Sequence, residues 1–162
     1  MSIFPTKILL ATDGSEDAAH ATEVAVELSE VSKSELHVVY VGKEAYSEAM
    51  AYPEPTGPEW SGQEDPVLME ELGRRFEQTA RRVLDAEVQK VRAAGGTVAR
   101  AHLRMGAAAQ EITDLAEQLS AGLVVAGSRG LGGIRRALMG SVSDSVARHA
   151  HCPVLIARKE NR

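Results

Sequence analysis

Short apolar runs alternate with amphipathic stretches along nearly the whole chain, and that alternation leaves few folds open to it. The first run, at positions 7–12, is continuously apolar over 8–11 and stops at Asp13-Gly14, which suits a strand buried on both faces of a parallel sheet. From 15 to 31 the period changes: Ala21, Val24, Ala25, Leu28 and Val31 recur at helical spacing, while Glu23, Glu27 and Glu30 fall on the other side. Ser15 is placed to cap this helix, with Glu16 and Asp17 in its first turn. Positions 36–41 return to β-branched and aromatic residues, a second strand. Positions 67–94 predict a long helix with Met69, Leu72, Phe76, Ala80, Val83 and Val91 along one stripe and Gly95-Gly96 as its stop. Glu70, Glu71 and Glu77 precede Arg74, Arg75 and Arg81 by four residues, so these basic side chains are expected to be paired on a solvated face. Positions 97–104 read as an edge strand with one wetter face. Gly106 opens a further helix carrying Ile112, Leu115, Ala116 and Leu119, 123–126 is a fourth strand, 140–150 a short helix, and 154–157 a fifth strand.

Five strands alternating with four helices imply a doubly wound α/β fold, a parallel sheet covered on both faces through right-handed crossovers. The length of 162 residues suits one domain, 1–162, without staples. Positions 43–65 break the alternation. The stretch from 42 to 66 holds four of the six prolines and three of the six aromatics, Tyr46, Tyr52 and Trp60, as an irregular insertion would. In sheets of this kind the ligand crevice lies beyond the carboxyl ends of the strands, where strand order reverses. Two such ends draw the eye: the turn 12–15, and everything after Ala126.

Composition removes several function classes. No apolar stretch approaches the roughly 20 residues of a membrane-spanning helix, and the first seven residues lack the apolar core of a signal peptide. The lone cysteine, Cys152, forms no internal disulfide framework, and a cytoplasmic protein is expected. A net charge of −5 argues against general nucleic-acid binding, which needs a basic field, so an anionic ligand has to be captured locally.

The segment after Ala126 offers that local capture. It joins a buried strand to a helix start, and phosphate recognition there needs amide N–H groups aimed at the anion, little obstruction by side chains, and a helix N-terminus. Gly127, Gly130 and Gly140 meet the steric demand, and the hydroxyls of Ser141 and Ser143 add donors. Arg129, Arg135 and Arg136 lie within 128–140 without one carboxylate, so the loop is cationic inside an acidic protein. The plainer alternative, that the glycines only turn the chain and the arginines are solvated, explains the glycines but not the charge excess.

The spacing Gly127-x2-Gly130-x9-Gly140-Ser141 resembles the G-x2-G-x9-G-[S/T] signature of the ATP-binding branch of the universal stress protein family. The opening from Ile8 through Asp13-Gly14-Ser15, Gly106, and the ending His151-Cys152-Pro153-Val154-Leu155 are similar to that family as well, so the resemblance covers nearly the whole chain. It implies strand order 3-2-1-4-5, with the switch point between strands one and four. Carried over by position, it implies Asp13, Gly127, Gly130, Gly140 and Ser141 as binding residues, with the main chain of Val41 meeting adenine; Thr12, Ser128, Arg129, Val142 and Ser143, beside them in the sequence, complete the expected binding set. ATP with magnesium is the implied ligand, Asp13 reaching the ion at most through water, and a homodimer is implied through 153–157, the stretch opened by Pro153 and closed by Ala157. Asp13 has a purely local alternative, since Asp-Gly-Ser forms an Asx turn without any ligand.

Competing chemistries fail on named residues. The lysine-bearing G-x4-G-K-[S/T] loop is absent, no dinucleotide fingerprint follows the first strand, and Arg104-Met105 stand where a receiver domain would carry its phosphoacceptor aspartate. His20, His37 and His102 fall on separate elements without forming a triad, and His149 and His151 suit a helix C-terminus. The expectation is a nucleotide-dependent regulatory or protective module with at most slow ATP hydrolysis. A slow hydrolase and a nucleotide-free dimeric scaffold are the alternatives.

Overall fold

The computed structural model describes residues 6–44, 65–129 and 139–159. Its elements are β1 (Lys7–Thr12), α1 (Glu16–Ser32), β2 (Glu35–Gly42), α2 (Pro66–Ala93), β3 (Val98–Met105), α3 (Ala108–Leu119), β4 (Leu123–Gly127), α4 (Ser141–His149) and β5 (Val154–Ala157). Every strand pair is parallel, and the order across the sheet is β3-β2-β1-β4-β5, as the sequence and the resemblance together imply. Most of the insertion expected at 43–65 lies outside the described residues.

Alternation along β1 divides the core into two layers. Ile8 and Leu10 pack with Ala21 and Ala25 of α1 and with Leu84, Val88 and Val91 of α2. Leu9 and Ala11 pack on the opposite face with Ile112, Leu115 and Ala116 of α3 and Val146 of α4. Burying a branched side chain contributes about 1.5–3 kcal/mol, against about 1–2 kcal/mol to order a residue's backbone, so a central strand buried on both faces holds its place. Among the described residues no helix is long and apolar enough to cross a membrane.

Several elements differ in detail from their sequence patterns. Val31, placed on the buried stripe of the first helix, is 79% exposed, because α1 meets the sheet through Ala18, Ala21, Thr22, Ala25, Val26 and Ser29 instead. The stripe of α2 that reaches the core is Ala80, Leu84, Glu87, Val88 and Val91; the apolar residues of its first turns are not buried, and Val67 and Leu68 are exposed. Pro66 belongs to the helix rather than to the insertion, occupying its first turn behind the cap Asp65, whose carboxylate accepts from Val67 N at 2.9 Å. The expected pairs Glu71–Arg75 and Glu77–Arg81 close at 2.6 and 3.1 Å, and Glu70–Arg74 reaches 4.0 Å. Gly106 does not start a helix but makes the turn before α3, at φ +132°.

Candidate functional site

The switch point of the sheet lies between β1 and β4, whose last residues are Thr12 and Gly127. The turn after β1 and the chain after β4 are tied to each other by the first turn of α1. Ser15 caps that helix, its hydroxyl accepting from Ala18 N at 3.2 Å and donating to the Arg129 carbonyl at 3.2 Å. Ser15 N donates to Asp13 Oδ1 at 3.0 Å, so the Asx turn forms. Ser128, buried to 1% exposure, donates its hydroxyl to Asp17 Oδ2 in a short bond. Ser15 and Asp17 thus hold both sides of the switch point, a task their sequence positions did not reveal beyond helix capping.

The loop that follows β4 is closed at its base. Gly140 N donates to the Ser128 carbonyl at 2.6 Å, and Ser128 N to the Ala157 carbonyl at 2.8 Å, so the two ends of the loop meet beside the end of β5. Gly130, like Arg135 and Arg136, lies outside the described residues. Gly140 is the cap of α4 and has no side chain with which to accept from the first turn. The N–H groups of Ser141, Val142 and Ser143 therefore have no intrahelical acceptor and, among the described residues, no capping side chain, and they carry the positive end of the helix dipole. Ser141 and Val142 are exposed. Close by in sequence, Arg129 has a buried Nε with no hydrogen-bond partner among the described residues. A buried donor left unpaired is unfavourable, and an acceptor or anion relieves it.

Three expectations acquire different physical content. Gly127 is required by packing: a Cβ there would lie 2.7 Å from the carbonyl carbon of Asp17 and 2.8 Å from Ala18 N, so its bareness admits the backbone of α1. The Ser143 hydroxyl, expected as a ligand donor, donates to the Gly127 carbonyl at 2.6 Å and braces α4 against β4. The loop is also less purely cationic than its sequence, since the fold brings the Asp17 carboxylate to Ser128. Thr12 turns toward the α1–α2 layer, where it donates to Glu87 Oε2 at 2.6 Å. Val41 lies one strand away from β1, opposite Arg104 in β3, and packs partly against the α3–α4 layer. Asp13 acts on Tyr40, whose hydroxyl pKa is raised first by burial and then by the Asp13 charge.

His37 and His102 do not lie apart. Neighbouring strands stack their rings at a centroid distance of 5.3 Å, with His37 Nδ1 3.1 Å from His102 Nε2 and His37 Nε2 3.3 Å from Glu35 Oε2. Burial, then His37, Arg100 and Arg104, lowers the His102 pKa to about 4. At neutral pH the ring is therefore uncharged.

The fold and this arrangement define a doubly wound α/β protein whose candidate site lies at the β1–β4 switch point. The model of the universal stress protein family matches residues 5–158, and the chain belongs to that family. Among its relatives, universal stress protein YxiE of Bacillus subtilis is 32% identical over 152 residues, 94% of this chain and 98% of the relative. Hypothetical protein MJ0577, whose structure was described as a structure-based assignment of biochemical function, superposes with a TM-score of 0.75 at 22% identity, over 97% of this chain and 98% of its own. A universal stress protein in complex with cAMP has a TM-score of 0.65 at 23% identity over 96% and 99% of the two chains. An Archaeoglobus fulgidus universal stress protein in complex with dAMP has a TM-score of 0.54 at 21% identity over 94% and 97%. At these identities the structures establish a shared fold.

Proposed function

We propose that this universal stress protein binds adenine nucleotides, ATP foremost, at the β1–β4 switch point and acts as a nucleotide-dependent regulatory or protective module of the stress response. The observation that carries the reading is the combination of an α4 N-terminus without a side-chain cap and a buried Arg129 Nε without a hydrogen-bond partner, both among the described residues. Both are suited to oxygen anions. The cAMP and dAMP complexes of two structural neighbours support an adenine nucleotide as the class of ligand. In this reading Ser141, Val142, Ser128, Arg129, Gly130 and Gly140 surround phosphate, Thr12 and Asp13 border the ribose, and the main chain of Val41 meets adenine.

Magnesium accompanies the phosphates. Among the described residues no three His, Cys, Asp or Glu side chains gather around a metal position, so the ion would be held by phosphate and water, with Asp13 reaching it through water. Function then follows from population shift: phosphate charge favours the arrangements that present the first turn of α4 and Arg129 to it, and partners read the altered surface. The protein is proposed to be cytoplasmic, a single domain, and a homodimer. Its partner would pair along β5, which borders only β4 among the described residues and whose Val154, Leu155 and Ile156 are only partly buried against the two core layers.

Acid extraction of the purified protein, with mass identification of what is released, and calorimetric titration with ATP, ADP and AMP test the reading together. An adenine nucleotide in the extract, or saturable ATP binding by stripped protein, is expected. An empty extract with no binding heat overturns it in favour of a dimeric scaffold. Saturable phosphate release that disappears in Asp13→Ala or Ser141→Ala would instead establish the slow hydrolase.

A further inference from the structure

We infer that Glu87 is a positioning residue for the nucleotide site, acting from α2 through Thr12 on the turn that carries Asp13; this rests on the nucleotide-binding reading above. Glu87 is 2% exposed and is the only carboxylate among the buried residues described. It occupies a core position, flanked along its stripe by Leu84, Val88 and Val91. A carboxylate there is unfavourable unless its oxygens are paired, and an apolar residue of similar volume would fill the place without that cost. Both oxygens are paired. Thr12 Oγ1 donates to Oε2 at 2.6 Å and Lys90 Nζ to Oε1 at 2.6 Å.

What the carboxylate adds over an apolar side chain is a directional hold on the last residue of β1. Its reach extends past Thr12: Gly14 turns at φ +81°, and the position its Cβ would take is 3.6 Å from Glu87 Oε1. The turn therefore lies against this carboxylate. On the far side of Asp13, Ser15 N holds Asp13 Oδ1, and the Ser15 hydroxyl holds the Arg129 carbonyl. Asp13 is thus suspended between two anchored neighbours. Loosening the Thr12 anchor displaces Asp13 and, through Ser15, the backbone of Arg129.

Lys90 is half-exposed, so the hold on Thr12 needs an acceptor at position 87 rather than a charge. The test follows from that distinction. ATP titration at a temperature where every variant is fully folded compares Glu87→Met, Glu87→Gln and Thr12→Ala with the unaltered protein, alongside urea unfolding without nucleotide. Glu87→Met, which packs but accepts no bond, leaves the buried Thr12 hydroxyl without its acceptor and is expected to unfold at a modestly lower urea concentration and to bind ATP roughly tenfold more weakly, the usual size for one lost buried bond. Glu87→Gln keeps a carbonyl acceptor for Thr12 and is expected to bind within about twofold of the unaltered protein. Thr12→Ala cuts the same bond from the other end and remains informative if Glu87→Met does not fold. Unchanged ATP affinity in Glu87→Met or in Thr12→Ala overturns the inference while leaving nucleotide binding intact. An unaltered protein that takes up no ATP overturns both.

Discussion

The hydroxyl of Ser143 donates to the carbonyl of Gly127 at 2.6 Å, joining the first turn of α4 to the last residue of β4 across the base of the glycine loop. The helix that presents amide groups at the switch point is thereby fixed to the central sheet. Two serines two positions apart consequently differ in kind: Ser143 is buried and bonded to the backbone, whereas Ser141 is exposed.

Their alanine variants should separate stability from binding. Ser143→Ala removes a buried bond and leaves the Gly127 carbonyl without it, a loss of about 1 kcal/mol or somewhat more in nucleotide-free protein. Ser141→Ala touches no buried group and should stay within about 0.5 kcal/mol of the unaltered protein, while weakening ATP binding. Urea unfolding and calorimetric titration on the same samples check both. Equal losses of stability in the two variants would contradict the division of roles.

Gly127→Ala addresses the packing of α1 on β4. A methyl group would sit 2.7–2.9 Å from backbone atoms of Asp17 and Ala18, which yield less readily than a side-chain end. Overpacking of this kind destabilises by about 1–3 kcal/mol. The midpoint of urea unfolding should fall without any nucleotide present. An undiminished midpoint would show that α1 moves aside freely, and Gly127 would then regain a purely ligand-related explanation.

Periodicity made the nine elements legible, because each run of Val, Ile, Leu and Ala had only one way to hide its apolar side. Strand order came through the resemblance carried by the glycine spacing, and the β1–β4 switch point came with it. What escaped were contacts between distant polar residues. Glu87 reads as one more acid on a charged helix until the register of Leu84, Val88 and Val91 puts it inside. That spacing, at i−3, i+1 and i+4, was present in the chain and was the signal to follow. His37 and His102 meet only through the register that sets His37 beside Arg100 and Val39 beside His102, which no local pattern encodes. Ser15 and Asp17 look like ordinary first-turn residues, and their second partners are more than 100 residues away.

Arg129 provides a direct probe of the anion reading. Its buried Nε has no partner among the described residues, so replacing the side chain by methionine removes an unpaired donor. Arg129→Met should leave nucleotide-free stability unchanged or slightly raised, and should weaken ATP binding by roughly tenfold with a flatter dependence on salt. Titrations at two ionic strengths measure both. Undisturbed ATP affinity would remove Arg129 from the phosphate site.

The His37–His102 stack gives the protein an acid-side dependence of stability whose sign is set by His102. Its pKa in the fold is about 4, below the usual 6.5, owing first to burial and then to the neighbouring His37, Arg100 and Arg104. Glu35, bonded to His37, is the carboxylate within this group. Between those two values the unfolded chain binds a proton at position 102 and the folded chain does not, so unfolding takes up a proton and stability rises with pH. The contribution is complete above about pH 6.5, declines as the pH falls toward 4, and changes no further below it. His102→Gln keeps a polar side chain at the position but cannot titrate, so its melting temperature should fall less than that of the unaltered protein from pH 7.5 to 4.5. Carboxylates that protonate at the lower end act on both proteins alike, which makes the difference between the two curves the quantity to read. Parallel curves would mean that His102 accepts its proton in the folded protein as readily as in the unfolded chain.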